Sequence, residues 1–261
     1  VVALWWSVKR RYMRVCNLRG RSLKGRVILL TGGTDGIGRA IIPTLIKLRA
    51  DKVVFVGRDK AKAKSVVDEV LAMVSEQVSR SKSGDNIAYW NNCYGDLKRG
   101  NWSEEGTVFN SKQLNFFRVD LADLDDIDKL VAKLGPNTLP KIDILINNAG
   151  GLNHKRVLSK QGIDETFASN YLGHVWLTDR LIPRLSEHAR IINLSSCMHW
   201  MTLPLPKDVV ISFDDPQRLK TPYDYWMQYS VSKLAVNLGT KASEIYFKNA
   251  KKDIKTVSMF P

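Results

Sequence analysis

The most constraining feature of this chain is a regular alternation between two kinds of segment. Short apolar runs rich in β-branched residues fall at 26–31, 52–57, 114–119, 142–147, 190–195 and 254–259. Between them lie longer amphipathic stretches, at about 37–49, 60–82, 123–134, 159–186 and 223–249. Continuous apolar runs fit strands buried on both faces of a parallel sheet. Strand–helix alternation then predicts an α/β fold, a doubly wound, mostly parallel sheet in one Rossmann-like domain. Right-handed crossovers bring the strand C-terminal ends to one edge, where ligands bind. At 44% hydrophobic and 25% charged, the 261 residues can fill such a core.

Composition excludes other classes. No apolar run approaches the roughly 18–20 residues that span a bilayer. Cys16, Cys93 and Cys197 are scattered and have no CxxC spacing, which disfavours a disulfide scaffold and a cysteine metal site. His154, His174, His188 and His199 have no metal spacing either, so no metal is expected. The acidic cluster at 120–128 reads as a helix start, with Asp123 as N-cap. Reduced thiols fit an intracellular setting, cytoplasmic or membrane-associated.

Three segments interrupt the alternation. Residues 83–113, rich in Gly, Asn, Ser and Trp, read as a long surface insertion. Residues 197–222 contain four prolines and cannot form one helix. Pro43 falls inside the first helical stretch and predicts a kink or an early stop. Residues 1–23 read as a basic arm ahead of a domain at 24–261. The first 26 residues carry eight basic side chains and no acid, leaving +6 of the net +14 for the rest. Trp5 and Trp6 followed by the cationic run suit a membrane surface. A nucleic-acid partner is not expected.

The first strand runs into Thr31-Gly32-Gly33-Thr34-Asp35-Gly36-Ile37-Gly38 and then a helix. Glycines in that context let the backbone approach a pyrophosphate, with the helix N-terminus facing the anion. The second strand ends at Gly57-Arg58, 20 residues past Gly38, where this fold selects the adenosine ribose. An acid there would bond the 2′-hydroxyl of NAD. Arg58 can instead pair with a 2′-phosphate, which favours NADP(H) and leaves NAD(H) open through Asp59.

Tyr229 and Lys233 stand four apart on the last helical stretch, so they share one face. An ammonium beside a phenol favours the phenolate. Such a tyrosine can exchange a proton with a substrate oxygen. Ser196 follows the fifth strand and can donate to a carbonyl oxygen, with Ser195 as its neighbour candidate. No GxSxG surrounds either serine, which disfavours a hydrolase. Asn147-Asn148-Ala149-Gly150 closes the fourth strand at the same edge, and Asn170 lies further on. Trp200, Met201, Tyr223, Tyr225 and Trp226 are expected to form an apolar substrate wall.

In family order, TGGTDGIG (31–38), VDL (119–121), NNAG (147–150), NYLG (170–173), INLSS (192–196) and YSVSK (229–233) resemble the short-chain dehydrogenases/reductases over residues 24–261. The stretches around NYLG and YSVSK resemble its retinol-dehydrogenase-like and orphan-reductase branch. The resemblance implies that Tyr229 is the acid or base and that Lys233 assists it and holds the nicotinamide ribose. It implies that Ser196 orients the carbonyl and that Asn170 holds a water in a proton relay. Thr31, Gly32, Asp35, Gly36, Ile37, Gly38, Arg58, Asp120, Leu121, Asn147, Ala149 and Gly150 would bind the cofactor, Asp120 at the adenine.

The implied function is hydride transfer between NADP(H), or NAD(H), and a lipophilic alcohol or carbonyl of retinoid, steroid or lipid type. The alternative is a catalytically silent nucleotide-sensing or interaction module on the same fold. A homo-oligomer is the family expectation. The chain departs from the family in the 33-residue spacing from Ser196 to Tyr229, in the 83–113 insertion and in having Asp35 where some members carry a cation. It also stops at Pro261, where the family continues into a lid, and it opens at Val1 with what reads as the tail of an anchor. Two readings of the start stay open, the tail of an anchor or a cap of Trp5 and Trp6 on the domain, and the ends read as those of a fragment that lacks a lid.

Overall fold

A computed structural model describes residues 21–81, 85–136, 138–202, 215 and 217–261, and the side chains of these except 85 and 86. Most of the basic arm and part of the proline-rich segment lie outside the described residues. The order is β1 (Val27–Thr31), α1 (Gly36–Lys47), β2 (Lys52–Gly57), α2 (Lys60–Arg80), α3 (Asp85–Arg99), β3 (Asn101–Trp102), β4 (Val108–Asn110) and β5 (Leu114–Arg118). Next come α4 (Leu124–Lys133), β6 (Ile142–Asn147), α5 (Glu165–Phe167), a π-helical turn (Ala168–Leu172) and α6 (Gly173–Leu181). A 3₁₀ turn (Ile182–Arg184), β7 (Leu185–Leu194), a second 3₁₀ segment (Cys197–Thr202), α7 (Tyr225–Asn249) and β8 (Lys255–Met259) complete the chain.

The sheet has eight strands in the order β3-β4-β5-β2-β1-β6-β7-β8. The six strands from β5 to β8 are parallel, and β1 pairs with both β2 and β6. The direction of winding reverses at β1/β6, which opens the ligand crevice expected of a doubly wound sheet. The chain folds this way because β1 and β2 have almost no polar interior: Ile28, Leu29, Leu30 and Val53–Val56 are fully buried. One apolar cluster joins α1, α2 and α3 to one face of the sheet, and a second joins α4, α6 and α7 to the other. Five helices start on an aspartate, Asp35, Asp59, Asp123, Asp164 and Asp224, whose side chain accepts from a first-turn N–H.

Three expectations change. Residues 83–113 are not an irregular insertion: α3 packs Trp90, Cys93 and Leu97 into the core, and β3–β4 add an antiparallel edge to β5. Side-chain burial of scattered aromatics drove this, which a polar composition concealed. The α1 helix runs four residues beyond Pro43. The helix expected over 159–186 starts at Glu165, and β7 begins at Leu185 through a register shift against β6. On α7, Leu238 and Ile245 are exposed, while Val231, Ala235, Val236 and Phe247 form the buried face.

Candidate active site

A crevice of about 1170 Å³ lies along the C-terminal ends of β1, β2, β5, β6 and β7. Gly32, Asp35, Gly36, Ile37, Arg58, Asp120, Leu121, Ala149, Gly150, Ser196, Tyr229 and Lys233 all line it. Four expected residues stand behind its wall instead. Thr31 is fully buried, and Gly38, Asn147 and Asn170 do not line the crevice.

The glycine loop is shaped by close approach. A Cβ on Gly38 would sit 2.2 Å from the Gly32 carbonyl oxygen, so Gly38 serves helix-to-loop packing. A Cβ on Gly32 would meet Ala149 Cα at 2.7 Å. Gly36 is different: its φ is +51°, and open space lies where a side chain would be. That bare backbone at the start of α1, a helix of 12 residues, faces the crevice and fits a pyrophosphate.

At the far end of the crevice Arg58 Nη1 pairs with Glu165 Oε1 at 3.0 Å and approaches Asp120 Oδ2 at 3.9 Å. Lys62 also lines the crevice and pairs with Asp35. Sequence reading missed Lys62, although it lies three residues after the N-cap Asp59, whose carboxylate accepts from the Lys62 N–H. Arg58 and Lys62 thus both border the crevice, each paired with a carboxylate.

At the catalytic end the two serines separate. Ser195 donates its hydroxyl to the Lys233 carbonyl at 3.0 Å and is buried. The Ser196 hydroxyl accepts only from Met198 N, at a long 3.3 Å, and lines the crevice. Lys233 Nζ donates to the Leu194 carbonyl at 2.9 Å and lies 5.6 Å from the centre of the Tyr229 ring. Burial pulls the Lys233 ammonium down to about 8, so it remains mostly protonated at neutral pH. A Cβ on Gly150 would come within 3.2 Å of Nζ.

Asn170 acts as a clamp. Its Oδ1 accepts from Gly151 N at 2.8 Å, and its Nδ2 donates to the Gly151 carbonyl and to Ser232 Oγ. Its own backbone carbonyl accepts from His174 Nδ1 at 3.2 Å. A carbonyl can only accept, so Nδ1 carries the ring proton and Nε2 accepts from Thr31 Oγ1 at 2.8 Å. Thr31 Oγ1 in turn accepts from Asn148 N and Ala149 N. Burial holds His174 neutral, with its pKa lowered to about 4. The signal for His174 was its spacing of four from Asn170 on one helix face.

Asn147 lines a second cavity of about 300 Å³ between α6 and α7, and its Nδ2 donates to Asn193 Oδ1 at 2.8 Å. It ties β6 to β7. Trp226 lines the crevice, and Trp200 packs on Phe260 beside it; both tryptophans are exposed. Among the described residues no cluster of His, Cys, Asp or Glu could hold a metal, and no helix is long and apolar enough to cross a membrane.

Comparison with known proteins gives a consistent picture. The family model for short chain dehydrogenase matches residues 100–205. Human polyprenol dehydrogenase is 29% identical over 221 residues, 82% of this chain and 53% of that protein. Human retinol dehydrogenase 13 is 28% identical over 222 residues, 84% of this chain and 54% of that protein. The chain thus spans about half the length of these curated relatives. Two solved structures share the fold over 92% of the chain. A metagenomic short-chain oxidoreductase in complex with NADP matches over 82% of its length with TM-score 0.58 and 20% identity. A short chain dehydrogenase/reductase from Burkholderia phymatum in complex with NAD matches over 66% with TM-score 0.60 and 19% identity.

Proposed function

The chain belongs to the short-chain dehydrogenase/reductase family, and on that premise we propose that it transfers a hydride between a nicotinamide dinucleotide, NADP(H) in preference to NAD(H), and a lipophilic alcohol or carbonyl. The observation that carries this reading is the meeting of Ser196, Tyr229 and Lys233 in one crevice with the open backbone at Gly36. Gly32, Gly36, Ile37, Asp120, Leu121, Ala149 and Gly150 would hold the dinucleotide, and Arg58 with Lys62 would face a 2′-phosphate. A bound nicotinamide supplies the hydride.

The chain's own residues handle the substrate oxygen. The Ser196 hydroxyl points a donor at the carbonyl oxygen and keeps it against Tyr229. Tyr229 gives its phenolic proton to that oxygen during reduction and takes it back during oxidation. The Lys233 ammonium stabilises the phenolate left behind. Asn170 keeps Gly151 and Ser232 in place around this group.

A lipophilic substrate is supported by the apolar Trp226 at the crevice and by relatives named for polyprenol and retinol. A membrane surface is the proposed setting, through the basic arm with its Trp5 and Trp6. The test is the full-length protein with NADPH or NADH and a panel of lipophilic aldehydes and ketones. Turnover that vanishes in Tyr229→Phe supports the reading. Dinucleotide binding without turnover of any carbonyl would replace it with a silent nucleotide-binding module.

A further inference from the structure

Tyr229 follows Ser196 by 33 positions, and a tether of that length does not by itself set their relative position. The last part of the tether is nevertheless pinned. Arg156, on the loop after β6, donates Nη1 to the Leu219 carbonyl at 2.9 Å and Nη2 to the carbonyls of Arg218 and Thr221, each at 2.8 Å. Three carbonyls of one short segment therefore converge on one guanidinium. Arg218 takes a left-handed backbone, φ 58°, within this turn. The guanidinium also lies over the Tyr223 ring at 5.3 Å, and the Tyr223 hydroxyl donates to the Asn153 carbonyl at 2.6 Å.

Asp164 closes the arrangement. Its Oδ1 accepts from Phe167 N at 3.0 Å and from Gln228 Nε2 at 2.9 Å. The first bond caps the short helix leading to Asn170, and the second reaches the residue directly before Tyr229. Gln217 completes the loop: its Oε1 accepts from Asp164 N, and its carbonyl accepts from Gln228 Nε2. Asp164 and Gln228 are each 1% exposed. Buried polar groups so fully interlocked resist displacement, because breaking one bond strands its partner.

We propose that Arg156 and Asp164 are positioning residues for the proton-transfer step, clamping the end of the long tether so that Tyr229 is presented to Ser196 at a fixed place. The inference rests on the reaction proposed above. Neither residue touches the crevice in the described structure, so both act through the start of α7.

The experiment compares the full-length wild type with Arg156→Met, Asp164→Ala and Asp164→Asn. It measures kcat, KM and dinucleotide affinity by fluorescence, together with tryptic cleavage after Arg218 and Lys220. Arg156→Met and Asp164→Ala are expected to lower kcat by about 10- to 100-fold, the cost of a misplaced reacting group. Dinucleotide Kd is expected to hold within about twofold, because the glycine loop is untouched. Cleavage after Arg218 and Lys220 is expected to accelerate in both variants. Asp164→Asn keeps an acceptor oxygen and is expected to restore most of kcat. Faster cleavage with unchanged kcat would overturn the proposal and leave an ordinary loop anchor. Loss of dinucleotide binding in step with kcat would also overturn it, as general unfolding. A wild type that binds dinucleotide without turnover would instead sink the proposed reaction, and the clamp's role in it.

Discussion

Around β1 and β2 the crevice wall is closely packed glycine backbone; around β6, β7 and α7 it is backed by buried polar side chains. On the first flank Gly32, Gly33 and Gly38 allow contacts that any Cβ would block. On the second, Asn147, Asn170, Ser195, Ser232 and Lys233 are each no more than 4% exposed. The first kind of wall tolerates no added atom and is indifferent to pH. The second tolerates isosteric change but is sensitive to protonation and to the loss of a single hydrogen bond. On the proposed function, dinucleotide binding would belong mainly to the first flank and chemistry to the second, and the two are expected to separate under mutation.

The largest expected effect tests that separation. Tyr229→Phe removes the only group on the second flank proposed to move a proton. It is expected to lower kcat by about 10²- to 10⁴-fold, or roughly 3–5 kcal/mol of transition-state stabilisation. Dinucleotide affinity, measured by fluorescence titration, is expected to stay as in wild type. A parallel loss of affinity would show that the flanks are not independent.

Lys233 sharpens the comparison through pH. Unfolded, a lysine keeps its proton up to 10.5; folded, burial lowers that to about 8. Between these values the unfolded chain binds more protons, so this group makes stability rise with pH through the window. Across it the rise is about 3 kcal/mol from this one side chain. Lys233→Met is expected to abolish turnover yet to flatten that rise in urea denaturation at pH 7.5 and pH 10. It is also expected to be no less stable than wild type at neutral pH, where the native ammonium is buried at a cost. A variant that loses stability at pH 7.5 and keeps the slope would contradict the assignment.

The first flank predicts the opposite behaviour. Alanine is favoured over glycine inside a helix by about 1 kcal/mol. At Gly38 the added Cβ would stand 2.2 Å from a backbone oxygen that cannot swing aside. Overpacking of this kind costs about 1–3 kcal/mol, so the clash outweighs the propensity. Gly38→Ala is expected to lower the melting temperature and weaken dinucleotide binding, with no change in the pH dependence of stability.

The same difference decided what could be read from the amino acids. A glycine requirement is local: the motif at 31–38, placed between a strand and a helix, carries its meaning in consecutive residues. The six parallel strands were legible from their local apolar runs, and β1, β2 and β5 are buried along almost their whole length. The polar flank is assembled from distant segments. The cofactor role expected of Asn147 gave way to a bond with Asn193, 46 residues away. Thr31 answers to His174, 143 residues along the chain. The segment at 83–113 was missed although Trp90, Cys93 and Leu97 recur at helical spacing, because Asn, Gly and Asp stand between them and give the stretch the composition of a loop. Tyr229 and Lys233 were the exception on this flank, since one helical turn joins them.

The smallest predicted effect concerns the end of the crevice where the flanks meet over the adenosine ribose. Arg58 belongs to the β2 loop and Glu165 to the helix leading to Asn170, and they pair at 3.0 Å. A 2′-phosphate would have to draw Arg58 away from that carboxylate. Arg58→Ala is expected to raise KM for NADPH by about tenfold, roughly 1.4 kcal/mol, while leaving KM for NADH nearly unchanged. Glu165→Gln keeps the Asn153 contact but removes the competing charge. It is expected to lower KM for NADPH by about two- to threefold, in keeping with the small worth of an exposed ion pair. Opposite shifts in the two variants would establish that the ribose end is set by competition between a glutamate and a phosphate for one guanidinium. If both variants instead leave the NADPH-to-NADH ratio unchanged, Lys62, already at the crevice beside Asp35, becomes the phosphate-facing cation to test next.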